Sequence, residues 1–327
     1  MRRREFITLL GGATATWPWP GVSRAENLGK LPTIGFLGVD PAMWSAWTGA
    51  FVSRLTALGW IDGRTVNLVF RWSRGRPELH AQYATEFAQL NVNVIVTSGA
   101  AVHALMQATS SIPIVFAVAN DPLGAGMVKS LSRPGVNATG ISAQNFDTAG
   151  KRFELLRETV PDLRRLAVMA DATFPQAMVE IGIVRELARN FDIQVLPIEI
   201  RRTDDIAPAF EKMEADKPEA LYVVINELLN ANRILIITSA QAAKMPTIFG
   251  TRDWVLSGGL MSYGPDLRVL FARAAEITDR ILKGEKAEDI PVEQPTRFQL
   301  VLNLKTSNTI GLTIPPIILA RADEVIE

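Results

Sequence analysis

Several short polar segments stand where they could hold a small charged solute. Ser98 and Gly99 end a predicted strand and open a helix, so a hydroxyl and free backbone N–H groups lie at the positive end of a helix dipole, where a carboxylate would be held. The same residues could instead serve only as the cap of their own helix. Asn120 and Asp121 follow the next strand, where a carboxylate could pair with an ammonium group, or where Asp121 could cap the turn before Pro122. Together the two segments would suit a zwitterionic amino acid.

Asp40 and Trp44 follow the first predicted strand and offer one carboxylate and one aromatic ring. Trp44 could stack on a planar or cationic ligand. Equally, it could be the first core residue of the helix that follows it. The sequence leaves both interpretations of Trp44 open.

The second half of the chain has weaker candidates at the corresponding strand ends. These candidates are Asp171, Thr173, Phe174, Asn226, Glu227 and Tyr263. Residues 252–254 could line the same site or form an ion pair on a surface turn, and we favour the turn. Arg201 and Arg202 are expected on a solvated face or at a partner contact.

The full sequence has none of the usual catalytic or cofactor motifs. It contains no cysteine and two histidines, His80 and His103, whose spacing fits no zinc motif. A nucleophile elbow, a phosphate-binding loop and a dinucleotide fingerprint are also missing. We therefore expect no metal, no cofactor and no enzymatic activity. Both histidines fall on helical segments and are assigned no role.

Composition bounds the class of protein. The 327 residues carry 34 basic and 34 acidic side chains, so no net charge attracts a nucleic acid. Apolar residues make up 48% of the chain, which excludes intrinsic disorder. The length predicts two globular units, each with its own core.

The N-terminal residues are typical of an export signal. Three arginines at 2–4 precede a short apolar stretch at 6–13, and Ser23 and Ala25 supply the small residues that a signal peptidase needs. The arginine pair ahead of a phenylalanine and an isoleucine is similar to a twin-arginine signal. We expect residues 1–25 to be a signal peptide cleaved after Ala25, leaving a soluble periplasmic protein. An uncleaved basic amphipathic anchor is the alternative.

Beyond the signal, short β-branched segments alternate with helical patterns almost to the end of the chain, which is typical of parallel α/β sheets. The predicted strands are 33–38, 66–72, 92–96, 114–119, 166–170, 193–198, 220–225, 247–249 and 298–302, with a short one inside 258–265. The predicted helices are 44–58, 79–90, 99–108, 151–160, 176–189, 204–215, 228–243 and 267–281. The position of the strand at 298–302 is left open.

These elements predict an α/β fold of two doubly wound parallel-sheet lobes joined by hinge crossovers. Lobe I is expected to comprise 30–141 and about 265–290, and lobe II 146–262, with 291–327 returning across the hinge. The segments 140–146 and 258–265 are predicted to cross between the lobes. A cleft between such lobes, at the carboxyl ends of their strands, is where a small ligand binds.

A set of segments spread along the chain points to one known family: 112–116, 120–122, 133–140, 152–158, 259–264, 280–286, 303–306 and 321–326. They resemble the substrate-binding proteins of ABC transporters, in the family that includes tryptophan- and tyrosine-binding members. The resemblance covers essentially the whole mature chain. It implies a type I periplasmic binding fold that delivers a solute to an inner-membrane permease and its ATPase. It does not reveal the solute, and residues 226–230 depart from the family's more Pro- and Asp-rich loop, which bears on specificity.

The leading hypothesis is therefore that the protein captures a small polar or amphipathic solute, such as an amino acid or an aromatic compound, and presents it to the permease. We expect a monomer. A ligand-sensing module that docks on a membrane receptor is one alternative. A secreted α/β enzyme using Asp121, Glu227 or Ser98 is another.

Overall fold

The computed structural model describes residues 31–327. The predicted export signal, residues 1–25, lies outside the described residues. No helix among residues 31–327 is long and apolar enough to cross a membrane.

The first half of the described chain builds a five-stranded parallel sheet. Its elements are β1 (Thr33–Gly38), α1 (Ser45–Ala57), β2 (Asn67–Trp72), α2 (Pro77–Leu90), β3 (Val94–Thr97), α3 (Ala101–Ala108), β4 (Ile114–Ala119) and β5 (Ala138–Ser142). The strands lie in the order β2-β1-β3-β4-β5. Local sequence sets the element ends: Pro77 begins α2, where its missing N–H costs nothing, and Asn91 ends it in a left-handed conformation.

The second sheet has seven strands. Its first part comprises α4 (Asn145–Thr159), β6 (Arg165–Asp171), α5 (Pro175–Arg189), β7 (Gln194–Ile200), α6 (Ile206–Asp216), β8 (Ala220–Val223), α7 (Glu227–Ala231), α8 (Arg233–Ala242), β9 (Thr247–Phe249), α9 (Arg252–Leu256) and β10 (Met261–Gly264). A long helix, α10 (Leu267–Leu282), comes next in the chain. The sheet is then completed by β11 (Gln299–Asn303), α11 (Leu304–Ile310), α12 (Pro316–Leu319) and β12 (Glu324–Ile326). The strand order is β12-β11-β10-β9-β8-β6-β7. Strands β6 to β10 are parallel and repeat the order of the first sheet, whereas β11 runs antiparallel to β10.

Helix α10 returns the chain to the first sheet. It packs on α1 and β4, and its Phe271 lies 6.4 Å, between ring centroids, from the fully buried Phe36. Trp60 donates its indole N–H to Asp279 of α10 at 2.8 Å. The term lobe I is used here for β1–β5 with α1–α3 and α10, and lobe II for the other elements.

Within residues 31–327 the chain passes between the lobes after β5, after β10 and before β11. The third passage is pinned to lobe I, because the Glu293 N–H donates to the carbonyl of Gly140 and the Ser142 N–H to that of Glu293. Several parallel crossings of this kind form a hinge between two compact bodies. The predicted two-lobed α/β fold is therefore confirmed.

Some elements differ from the prediction. Residues 138–142 form the strand β5, although we expected a crossover to begin at Gly140. The predicted helix 228–243 is two helices, α7 and α8, divided at Asn232. The short helices α9, α11 and α12 and the strand β12 were not predicted, and the strand near 298–302 joins the sheet of lobe II.

Gly140 explains why β5 was missed. Its φ is +154°, and a Cβ at this position would lie 2.0 Å from the carbonyl oxygen of Phe116 on β4. The glycine is therefore required for close approach of the two strands, not for a turn. In a sequence pattern, a glycine at such a position indicates a break in the strand.

Candidate functional site: the cleft between the lobes

A cavity of about 480 Å³ lies between the lobes, at the carboxyl ends of the central strands of both sheets. This is the volume range of small-molecule sites, and the position follows the rule for doubly wound sheets. Lobe I contributes Val39, Trp44, Trp47, Gly75, Pro77, His80, Ser98, Gly99, Ala100, Val118, Asn120, Ala143, Pro265, Leu267 and Phe271. Lobe II contributes Asn145, Arg152, Asp171, Thr173, Phe174, Glu180, Arg201, Val223, Ile225, Asn226, Glu227, Leu228, Asn230, Gly250 and Thr251.

The start of α3 faces this cavity. Ser98 and Gly99 form the turn after β3, and α3 begins without a side-chain hydrogen bond capping its N-terminus. The interpretation of Ser98 as a cap of its own helix is therefore wrong. The N–H of Gly99 already donates to the carbonyl of Val118 at 3.1 Å, and that of Val102 to the carbonyl of Gly99 at 3.4 Å. The N–H groups of Ala100 and Ala101 are therefore the ones that remain for an acceptor on a ligand.

Aromatic rings form the apolar wall of the cavity on lobe I. Trp44 and Trp47 are almost fully buried, and their ring centroids lie 5.6 and 5.7 Å from that of Phe271. Trp44 is a core residue of lobe I, which agrees with one of its two interpretations, and it also lines the cavity. On lobe II, Phe174 supplies a further ring.

The polar wall on lobe II is built around Asp171, the last residue of β6. Its Oδ1 accepts hydrogen bonds from the N–H and hydroxyl of Thr173, at 2.8 and 2.6 Å. Its Oδ2 accepts a short hydrogen bond from the side-chain amide of Asn226. Asn226 in turn caps α7 by accepting from the N–H of Leu229 at 3.0 Å. These bonds fix Asp171, Thr173 and Asn226 as one rigid group.

Glu227 projects from α7 toward lobe I. Its Oε2 lies 3.8 Å from Nε2 of His80 on α2, and a Cβ built on Gly99 would lie 3.2 Å from its Oε1. Burial raises the pKa of the Glu227 carboxyl to about 7. Burial also lowers the pKa of His80, although Glu78 opposes that shift. Both effects favour neutral side chains where the lobes meet.

A buried ionic network lies beneath the lobe II wall. The Arg152 guanidinium donates to Glu180 and to the Tyr222 hydroxyl, both at 2.6 Å, to the Thr148 hydroxyl at 2.7 Å and to the Asn145 carbonyl at 2.9 Å. Burial disfavours the charge, but Tyr222 and Glu180 outweigh it and raise the pKa of Arg152. The guanidinium is thus fully engaged within the protein and its charge is balanced by Glu180.

Hydrogen bonds also join the two lobes across the cleft. Trp47 of lobe I donates its indole N–H to Asp253 of lobe II at 3.2 Å. The side-chain amide of Asn145, at the start of α4, donates to the side-chain carbonyl of Asn120 at 2.7 Å. Burial raises the pKa of Asp253, and the bond from Trp47 opposes the shift. These contacts hold the lobes together over the cavity.

Nine of the predicted candidates line the cavity, and three do not. The nine are Trp44, Ser98, Gly99, Asn120, Asp171, Thr173, Phe174, Asn226 and Glu227. Asp40 instead accepts from the backbone N–H groups of its own turn, at 2.9 and 3.0 Å. Asp121 accepts from the N–H of Gly124 at 2.8 Å, so it caps its turn as the alternative interpretation held. Tyr263 turns away from the cavity and stacks on Phe298.

Other lining residues were not predicted. His80 was assigned no role, yet it is 5% exposed and faces Glu227. Arg201 was expected on a solvated face, and it reaches the rim of the cavity while pairing with Glu199 at 3.2 Å. Trp47 carries a usable signal, because it lies three residues after Trp44 and a second tryptophan at helical spacing indicates the same helix face.

The prediction that residues 252–254 form an ion pair on a surface turn agrees with the structure in part. Arg252 forms a bidentate ion pair with Glu324, at 2.5 Å for each bond, which agrees with the favoured ion pair. Trp254 is fully buried and stacks on Phe249 with 4.5 Å between ring centroids. Within residues 31–327 no group of three acidic or histidine side chains is placed to hold a metal ion.

A fold of two hinged lobes with a cavity between them defines the class of two-lobed binding proteins. Within this class, the chain belongs to the ABC transporter substrate binding protein family, which matches residues 39–326. It is similar to the tyrosine-binding protein of Clostridioides difficile (strain R20291), with 24% identity over 290 residues, which are 88% of this chain and 82% of the relative.

Two solved structures share the fold. One is an ABC domain from Streptococcus pneumoniae in complex with L-Trp, with a TM-score of 0.84 and 25% identity, covering 91% of this chain and 100% of that chain. The other is the ligand-free, open structure of a substrate binding protein with adhesive properties from Clostridium difficile. Its TM-score is 0.67 at 24% identity, covering 90% of this chain and 99% of that chain.

Proposed function

We propose that this chain is the periplasmic solute-binding component of an ABC import system. It captures a small polar or amphipathic solute in the cleft, closes over it, and presents it unchanged to an inner-membrane permease. The observation that carries this proposal is the cavity of about 480 Å³ whose walls come from both lobes. A solute that contacts both walls stabilises the closed state, because it has those contacts only when the lobes meet.

The lining supports a solute with an apolar, planar part and at least one polar group. Trp44, Trp47 and Phe271 offer an aromatic wall, which suits a ring or an alkyl chain. The start of α3 offers N–H groups to a carboxylate or another acceptor. An amino acid or an aromatic compound combines these features, and the names of the relatives that bind tyrosine or L-Trp are in keeping with it.

The arrangement of the lobes supports a closing motion. The chain superposes better on the L-Trp complex than on the ligand-free open structure, although the sequence identities are 25% and 24%. Hydrogen bonds such as that from Trp47 to Asp253 span the cleft. These hydrogen bonds would break if the lobes opened, so they are made only in the closed state.

A thermal-shift screen of the mature chain tests the binding function. The panel consists of the twenty amino acids with their decarboxylated and deaminated analogues. A solute at a hundred times its dissociation constant adds about 2.7 kcal/mol of apparent stability, which shifts the melting temperature by several degrees. We expect at least one compound to do so and to be recovered with unchanged mass. Conversion of the compound would favour the enzyme alternative, and no shift with any compound would contradict the proposal.

Export is tested separately. We expect the mature protein in the periplasmic fraction, as a monomer, with Glu26 as its first residue. Replacing Arg3 and Arg4 together by lysine should retain the full-length chain in the cytoplasm, because the arginine pair addresses the twin-arginine route. Intact mass of each fraction reports the cleavage site. A full-length chain in the periplasm would support the uncleaved anchor instead.

A further inference from the structure

The charges that line the cavity do not balance. The basic side chains are Arg152 and Arg201. Arg152 is balanced by Glu180 and gives its N–H groups to protein acceptors. Arg201 lies at the rim, 65% exposed, and pairs with Glu199. The acidic groups Asp171 and Glu227 are left without a counter-charge in the described lining.

These two carboxyl groups are not equivalent. Both oxygens of Asp171 accept hydrogen bonds from Thr173 and Asn226, so the group is already used within lobe II. The carboxyl oxygens of Glu227 accept no hydrogen bond from residues 31–327, and Nε2 of His80 lies 3.8 Å from Oε2. That separation is too long for a hydrogen bond. Glu227 is the acceptor that the closed cleft leaves open.

The surroundings of Glu227 offer it no cation. From lobe I it faces His80 of α2 and Gly99, and from lobe II it lies beside Asn226 and Asn230 of its own segment. Glu78 acts on His80, but burial still lowers the pKa of that imidazole, so His80 stays neutral near pH 7. Of the charged groups of the lining, Asp171 is acidic and Arg201 is held at the rim.

Given that the cleft is the solute site, we propose that Glu227 recognises a cationic group on the solute, such as an ammonium, and that it does so only when the lobes are closed. Glu227 is carried by lobe II, and the residues that its carboxyl faces across the cleft, His80 and Gly99, belong to lobe I. Gly99 has no side chain, which leaves space beside Oε1 for a ligand atom. Closure and recognition of the cation are therefore one event.

Proton release follows from this placement. In the closed arrangement burial raises the pKa of Glu227 to about 7, so to the extent that the lobes close before the solute binds, the carboxyl holds a proton below that pH. A bound cation favours the carboxylate, and the proton passes to solvent. Binding should therefore tighten as the pH rises toward 7, by at most tenfold per pH unit, and level off above it. A solute without an amine offers Glu227 no cation and should bind more weakly.

Calorimetric titration tests the proposal at pH 6 in two buffers of different ionisation enthalpy, which gives the number of protons released. The probes are matched sets: L-tryptophan, tryptamine and indole-3-acetate, and L-tyrosine, tyramine and 4-hydroxyphenylacetate. In each set the last compound lacks the amine. The proteins are wild type, Glu227→Gln, and the control Glu211→Gln, which removes an exposed carboxylate of α6 outside the lining.

We expect an amine-bearing probe to bind wild type and Glu211→Gln with release of up to one proton, and the amine-free acids to bind at least tenfold more weakly. Glu227→Gln should release no proton and bind the amines about 10- to 100-fold more weakly, the cost of one charge-assisted hydrogen bond. Equal binding of the acids, or an unchanged Glu227→Gln variant, would overturn the inference and leave the binding function intact. Absence of binding by every probe and every compound of the thermal-shift panel would overturn both.

Discussion

At the scale of single residues, two tryptophans donate the same kind of hydrogen bond to an aspartate, one across the cleft and the other within lobe I. Trp47 donates its indole N–H to Asp253 across the cleft, whereas Trp60 donates to Asp279 within lobe I. Each bond to a carboxylate contributes about 1.5 kcal/mol. The bond of Trp47 exists only while the lobes are closed, so its loss should act on binding. The bond of Trp60 is present in either state, so its loss should act on folding alone.

We therefore predict that Trp47→Phe lowers the affinity for the solute found by the thermal-shift screen by about tenfold. Trp60→Phe should leave that affinity unchanged and lower the free energy of unfolding by about 1.5 kcal/mol. Calorimetric titration and urea denaturation measure the two quantities. Equal affinities for the two variants would show that the Trp47 bond does not hold the closed state.

Gly99 gives a second prediction at this scale. Its φ is +61°, and an added Cβ would lie 3.2 Å from Glu227 across the cleft. Gly63 has a similar φ of +72°, but an added Cβ there meets open space. Alanine at either position costs roughly 1 kcal/mol of backbone strain, while crowding against Glu227 adds a cost of about 1 kcal/mol that is felt only on closure.

Gly99→Ala and Gly63→Ala should therefore lose similar stability, but only Gly99→Ala should lose affinity, by roughly fivefold. Melting curves without solute and titrations with it separate the two effects. A Gly63→Ala variant with equally weakened binding would assign the loss to strain, not to contact between the lobes.

Residue-level predictions from sequence succeeded where the position at a strand end by itself brings the residue to the cavity. Ser98 and Asn226 lie at the cavity because strand ends converge there. Asp121 has the same position relative to its strand, yet its carboxylate accepts a hydrogen bond from the N–H of Gly124, three residues later. Whether a strand-end carboxylate faces a ligand or its own turn depends on a local hydrogen bond that residue type does not reveal.

At the scale of elements, the buried pair of Arg152 and Glu180 ties α4 to α5 behind the polar wall. Both side chains are less than 5% exposed. Removing one partner of such a pair leaves the other charge unpaired in the interior, which costs about 3 kcal/mol or more. Glu186, also on α5, forms an exposed pair with Arg189 that contributes little.

The expected outcome is that Glu180→Gln lowers the free energy of unfolding by about 3 kcal/mol, measured by urea denaturation. Glu186→Gln should change it by less than about 0.5 kcal/mol. If the two variants were equally stable, the network would not support the cavity wall as described.

Sequence patterns identified elements best where burial follows a regular period. Helix α10 was predicted because Leu270, Phe271, Ala274 and Ile277 recur at helical spacing, and all four are buried. The division of α7 from α8 at Asn232 was missed, because the apolar pattern continues on both sides of it. Short terminal elements such as β12 depend on pairing with β11, a contact that local sequence cannot show.

At the scale of the whole molecule, two lobes with the same strand order face each other across a cavity, and the chain crosses between them at the hinge. This general plan was predictable, because repeated strand and helix patterns specify doubly wound sheets. The contacts that hold the closed state were not predictable. Trp47 and His80 are distant in sequence from their partners Asp253 and Glu227, and the sequence assigns His80 no role and Asp253 to a surface turn. Closure is therefore the feature of the protein that most needs a direct measurement.

Distance measurement across the mouth of the cleft provides it. The chain has no cysteine, so Arg76→Cys and Arg202→Cys, two exposed positions beside opposite rims of the cavity, can carry a pair of fluorophores. The transfer efficiency should rise as the solute from the thermal-shift screen is added, with a midpoint at its dissociation constant. An efficiency that stays constant while the solute saturates the protein would contradict binding by closure of the two lobes.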